Sequence, residues 1–116
     1  MMDISMREVG QVAVVNLSGR MDLNSGTMLK EEMKKLFERN VTNIHLNMTA
    51  VEFINSSGLG SLVSLMKEIR LLKGRMTMSN LASYVKEIFD ITQLSHIFEI
   101  FATEEEALSS YESVTA

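Results

Sequence analysis

The sequence predicts an α/β fold in one domain. Short apolar, β-branched runs alternate with amphipathic helical patterns along the whole chain, and 116 residues suffice for one hydrophobic core but not for two. No proline, linker-like tract or internal repeat interrupts this alternation, so no domain boundary is visible.

The elements follow in order. Gln11 to Leu17 (QVAVVNL) is apolar and β-branched and stops at Ser18-Gly19, as a largely buried strand does; Asp3 to Glu8 can pair with it through a turn at Gly10. From Asn24 or Ser25, either one a suitable N-cap, a helix runs to about Arg39 with Leu29, Met33, Leu36 and Phe37 on one face. Asn43 to Asn47 (NIHLN) alternates as a short strand. Leu59, Leu62, Val63, Met66 and Ile69 recur at helical spacing, predicting a helix over about 57–72 that ends at Lys73-Gly74. Arg75 to Ser79 alternates again as a strand. Leu81, Val85, Ile88 and Phe89 mark a further helix, with Ser79 or Asn80 as its cap. Ile97 to Phe101 is a last short apolar run, and Thr103 with Glu106 forms a capping box ahead of a terminal helix carrying Ala107, Leu108 and Tyr111. Strand and helix alternate after the first hairpin, which implies parallel crossovers.

Composition narrows the function. A formal charge of -4, with lysines and arginines scattered among acids, provides no basic stripe for nucleic acid. The absence of cysteine excludes a disulfide framework, a thiolate nucleophile and a zinc-thiolate site. No segment approaches the roughly 18 consecutive apolar residues of a membrane helix, and Met1 to Gly10 carries acids rather than a signal-peptide core; the expectation is a cytoplasmic protein without membrane insertion. The ten methionines sit mostly at core spacing and read as gap fillers.

The stretch Val51 to Leu62 (VEFINSSGLGSL) carries the most specific signal. A serine before a helix is usually only a cap satisfying a free backbone N–H. Capping needs one side chain, however, whereas Gly58 and Gly60 add a cost of up to about 1 kcal/mol each relative to alanine. Small residues around Ser56 and Ser57 let another molecule approach closely, and a helix start favours a phosphate. Hydrolase chemistry at Ser56 would require a G-x-S-x-G elbow, a histidine base and an orienting acid. Here the motif is Ile-Asn-Ser-Ser-Gly, and the two histidines, His45 in a strand and His96 near a loop, read as structural or surface residues. Gly58-Leu59-Gly60 lacks the lysine of a phosphate-binding loop, and Glu104 to Glu106 reads as an acidic helix start rather than a metal cluster. The expectation is a protein without enzymatic activity, cofactor or metal.

Taken together, Leu17-Ser18-Gly19-Arg20-Met21-Asp22, Ile44-His45-Leu46-Asn47 and Val51-Glu52-Phe53-Ile54-Asn55-Ser56-Ser57-Gly58-Leu59-Gly60 resemble the STAS domain of bacterial anti-sigma factor antagonists. The segment Phe89-Asp90-Ile91 to Leu94 and the closing Glu-Glu-Ala-Leu extend the likeness over nearly the whole chain. The resemblance implies one STAS domain over residues 1–116, a mixed, mainly parallel sheet of about five strands backed by about four helices. It also implies a binding partner rather than an enzyme. Relatives bind a serine kinase that doubles as an anti-sigma factor, and so release sigma factor. The kinase inactivates them by phosphorylating the first serine of a D-S-S-G turn, and a phosphatase restores them. That serine matches Ser56, and Asp22 matches an aspartate of the partner-binding surface, which here would include Asn55, Ser57, Gly58, Leu59 and Gly60. Two positions depart from the pattern: Asn55 stands where aspartate is common, and Gln93 where glycine is frequent. The alternative reading is a constitutive STAS module of a transporter or signalling scaffold, with the serine only a cap.

Overall fold

The structure, a computed structural model, describes residues 2–114. Strands β1 (Met2–Val9), β2 (Val12–Met21), β3 (Asn43–Ile54), β4 (Arg75–Ser79) and β5 (Glu99–Phe101) form one five-stranded sheet in the order β1-β2-β3-β4-β5. The β1–β2 hairpin turns at Gly10-Gln11 and is antiparallel; every other pair is parallel, giving the mixed sheet expected. The crossovers are α1 (Leu23–Glu38), α2 (Ser56–Leu71) and α3 (Ser83–Ile91), and α4 (Glu104–Val114) closes the described chain.

The period-2 alternation of the strands divides the core. Val15 and Leu17 of β2, Ile44 and Leu46 of β3, and Met76 and Met78 of β4 face the apolar stripes of α1, α2 and α3 in one cluster. Met33, Met48 and Met66 fill gaps in the same cluster. The intervening residues face α4: Val12 and Val14 pack on Tyr111 and Leu108. Strand β2 is therefore apolar at consecutive positions because both its faces are covered.

The α4 face also carries a polar band. His45 is wholly buried, with Nδ1 2.7 Å from Thr77 Oγ1 and Nε2 2.8 Å from Ser79 Oγ. Tyr111 donates its hydroxyl to the Ile44 carbonyl (2.8 Å), and its oxygen lies 3.0 Å from Thr77 Oγ1. Burial pushes the Tyr111 phenol up to about 12 and holds it neutral. At the start of α4, Glu104 accepts from Asn47 Nδ2 (2.9 Å) and pairs with Arg7. The Thr103 half of the predicted capping box is present, Thr103 Oγ1 accepting the Glu106 N–H at 3.2 Å, while the Glu106 carboxylate accepts from the Thr103 hydroxyl at 3.3 Å.

Several boundaries differ from the sequence reading. Strand β2 does not stop at Ser18-Gly19 but runs on to Met21, carried past the glycine by its pairing with β3. Strand β3 does not stop at Asn47 but continues to Ile54, paired with β2 through Met21. Register shifts between Asn16 and Ser18 and between Gly19 and Arg20 space its buried residues as Met48, Val51 and Ile54, which hides the alternation. Helix α1 begins at Leu23 with Asp22 as its cap, in place of Asn24 or Ser25. Helix α3 is capped by neither Ser79 nor Asn80: Ser79 ends β4 against His45, Asn80 holds a left-handed φ of 61°, and the N-cap position falls on Ala82, which has no side-chain cap bond. Among the described residues no helix is long and apolar enough to cross a membrane.

Candidate functional site

Strands β2 and β3 end in register at Met21 and Ile54, so two chains leave the sheet side by side and each turns at once into a helix. The two turns use the same device. Asp22 and Asn55 both have extended backbones (φ -128° and -117°), and each lends a side-chain oxygen to the N–H three residues on. Asp22 Oδ1 accepts from Ser25 N at 3.1 Å, and Asn55 Oδ1 from Gly58 N at 2.9 Å. The backbone carbonyls repeat the symmetry, Asp22 O accepting from Gly26 N and Asn55 O from Leu59 N, both at 2.9 Å.

The two turns also touch. The Asn55 N–H donates to the Met21 carbonyl at 3.2 Å. A Cβ on Gly58 would lie 2.2 Å from that carbonyl oxygen, so only glycine lets α2 start this close to the end of β2. One turn further along, a Cβ on Gly26 would lie 2.1 Å from Ser61 Oγ, which donates to the Ser57 carbonyl at 3.1 Å. The result is one continuous pole carrying Asp22 and the turn from Asn55 to Gly60.

Electrostatics separate the twin caps. The Ser25 backbone N–H, followed by its hydroxyl, holds the Asp22 carboxyl below the usual range, so Asp22 is an anion at neutral pH. Asn55 is neutral. Ser56 and Ser57 follow it as exposed residues in the first turn of α2, which contains no acid. A phosphate on Ser56 would therefore meet free helix N–H groups without a carboxylate in its own cap.

The residues singled out in the sequence thus fall into two sets. Asp22, Asn55, Ser56, Ser57 and Gly60 reach the surface, and nothing lies within 4 Å of where a Cβ on Gly60 would stand. Gly58 and Leu59 are buried, Gly58 against Met21 and Leu59 in the main core, so they shape the pole from beneath. His45 lies apart from this surface: burial pushes its imidazole down to about 4, and both ring nitrogens are taken up by hydroxyls. Three surface features lie outside the sequence reading, because β2 and β3 both run further and α1 starts earlier than the local patterns indicate. The Arg20 guanidinium lies 3.8 Å over the Phe53 ring, its cross-strand neighbour. Leu23, the first residue of α1, is exposed beside Asp22, and Tyr84 of α3 reaches the end of β3 with its hydroxyl.

The fold and this pole define a small α/β domain that presents two helix starts, one anionic and one serine-bearing, from adjacent strand ends. The sequence model of the STAS domain matches residues 3–107, and the chain belongs to that family. It is 31% identical over 91 residues to the anti-sigma-B factor antagonist of Bacillus subtilis (strain 168), covering 78% of this chain and 83% of that one. It is 29% identical over 115 residues to the anti-sigma F factor antagonist of Paenibacillus polymyxa, covering 98% of each. Among solved structures, the Bacillus cell fate determinant SpoIIAA in its phosphorylated form is similar with a TM-score of 0.72 and 25% identity, covering 94% of this chain and 99% of that one.

Proposed function

We propose that this chain is an anti-sigma factor antagonist that works as a phosphorylation switch. Unmodified, it docks an anti-sigma factor that is also an ATP-dependent serine kinase; that kinase phosphorylates Ser56 and is released, and a phosphatase returns the chain to its binding form. The observation that carries the reading is the exposed Ser56 in the first turn of α2, whose preceding residue Asn55 donates its backbone N–H to the Met21 carbonyl, so that the turn is tied to the strand end that precedes Asp22.

The physical steps are few. Phosphorylation adds about 1.5 to 2 negative charges at a helix start, where N–H groups and the helix dipole tolerate them, so the fold persists. The same dianion at a close-packed protein interface has no cation of its own and is costly to desolvate, so binding is lost. Asn55 keeps the capping geometry of an aspartate without its charge, so in this reading the departure leaves Ser56 able to accept phosphate.

The test is mass spectrometry of the kinase-treated protein followed by a binding titration. Ser56→Ala should bind the kinase and take up no phosphate, whereas Ser57→Ala should still be phosphorylated. Phosphate on another residue, or phospho-Ser56 protein that binds as tightly as the unmodified chain, would sink the switch and leave a constitutive binding module.

A further inference from the structure

The geometry points to Tyr84 as a positioning residue for the Ser56 turn, an inference that rests on the function proposed above. Strand β3 loses its partner on one side well before it ends: pairing with β4 finishes at Asn47 and Ser79, while β3 continues to Ile54. On the other side β2 accompanies it to the last residue, and Arg20 of β2 lies over the Phe53 ring. The side that β4 abandons is met by α3. Tyr84, in the first turn of that helix, accepts the Ile54 N–H on its hydroxyl at 3.4 Å. Ile54 is followed directly by Asn55, whose side chain caps α2, and then by Ser56.

Position is what phosphoryl transfer asks of its acceptor, because the attacking oxygen must be held within about 3–3.5 Å of the phosphorus in line with the leaving group. A strand end bonded on one side only can slide or lift, and the motion passes directly into Ser56. Tyr84 limits it from the open side. The residue is 43% exposed, so part of it stays open to solvent beside the turn. Helix α3 has no side-chain cap and is seated by Val85 and Phe89 in the main core, so the tyrosine is fixed from its own side.

The experiment compares the unsubstituted chain, Tyr84→Phe and Tyr84→Ala with Leu71→Ser, an exposed change at the far end of α2, as control. Amide exchange at Ile54 is followed by NMR, and Ser56 phosphorylation is resolved into kcat and KM. Loss of one modest hydrogen bond in Tyr84→Phe should speed Ile54 exchange about two- to tenfold and lower kcat by a similar factor with KM nearly unchanged. Tyr84→Ala, which also loses the ring, should raise KM as well. Unchanged exchange in Tyr84→Phe, or faster exchange with an unchanged kcat, overturns the inference. Absence of phosphate on Ser56 in the unsubstituted chain overturns the functional reading and with it any role of Tyr84 in transfer. The exchange rates belong to the free protein and separate the two failures.

Discussion

At Asp22, alanine removes a cap and a charge together, and the two effects have to be separated. The carboxylate holds the Ser25 N–H, so Asp22→Ala should lower the melting temperature in addition to weakening partner binding. A loop carboxylate without such a bond would leave the melting temperature nearly unchanged, and the cap makes that simpler outcome untenable here. Asp22→Asn separates the roles, since asparagine caps as well as aspartate but carries no charge. Thermal melting should show little change while a binding titration shows a weaker complex; full affinity in Asp22→Asn would remove the carboxylate from the docking surface. The two glycines of α2 should likewise diverge. Gly58→Ala drives a methyl into a backbone carbonyl and should be strongly destabilising. Gly60→Ala meets open space and should stabilise α2 by up to about 1 kcal/mol, with any loss appearing only in partner binding.

At the scale of the elements, the segment after α3 contains a residue at odds with its backbone. Gln93 has φ 62°, where a side chain costs about 1–2 kcal/mol. Gln93→Gly removes that strain but adds about 0.5–1 kcal/mol of unfolded-chain entropy. The balance predicts a gain of roughly 0.5–1 kcal/mol, readable as a higher denaturant midpoint; a loss would mean that the glutamine side chain makes a contact of its own. Elements whose signals are local were legible in the sequence: the hairpin at Gly10, the stripe of α2 and the Thr103 box each follow from residues a few positions apart. The second half of β3 was not, because its bulges replace a period of two with a period near three. The α1 cap was ambiguous for a different reason: Asp22, Asn24 and Ser25 are all good capping residues, and only the end of β2 at Met21 selects among them. The need for glycine at position 58 is set by a carbonyl far away in sequence, which no local pattern reveals.

For the molecule as a whole, the buried polar band under α4 makes stability depend on pH. Burial lowers the His45 imidazole from 6.5 in the unfolded chain to about 4 in the native state. Between these values the unfolded chain binds the proton first, so stability falls as pH falls and the loss is complete below the native value. The gap corresponds to roughly 3 kcal/mol. Asp22, Glu99 and Glu104 have lowered carboxyls and also lose stability in acid, but only as pH drops through the carboxylate range. The interval from about 6.5 to 5 therefore isolates the histidine. Melting temperature should decline through that interval in the native chain and stay flat in His45→Gln; an equal decline in both would place the titration elsewhere.

Because β2 and β3 deliver both caps from strand ends in register, the two ends of the sheet should respond very differently to added length. One residue inserted in either strand near Met21 or Ile54 would slide one cap past the other by about 3.3 Å and reverse which side chains face inward. The opposite end has no such constraint, since the turn at Gly10-Gln11 is exposed and joins an edge strand to its neighbour. A reporter peptide spliced between Gly10 and Gln11 should therefore leave kinase binding intact, whereas the same peptide placed after Met21 should abolish it. On the function proposed above, this protein can be labelled at the Gly10 end of the sheet without touching its docking face.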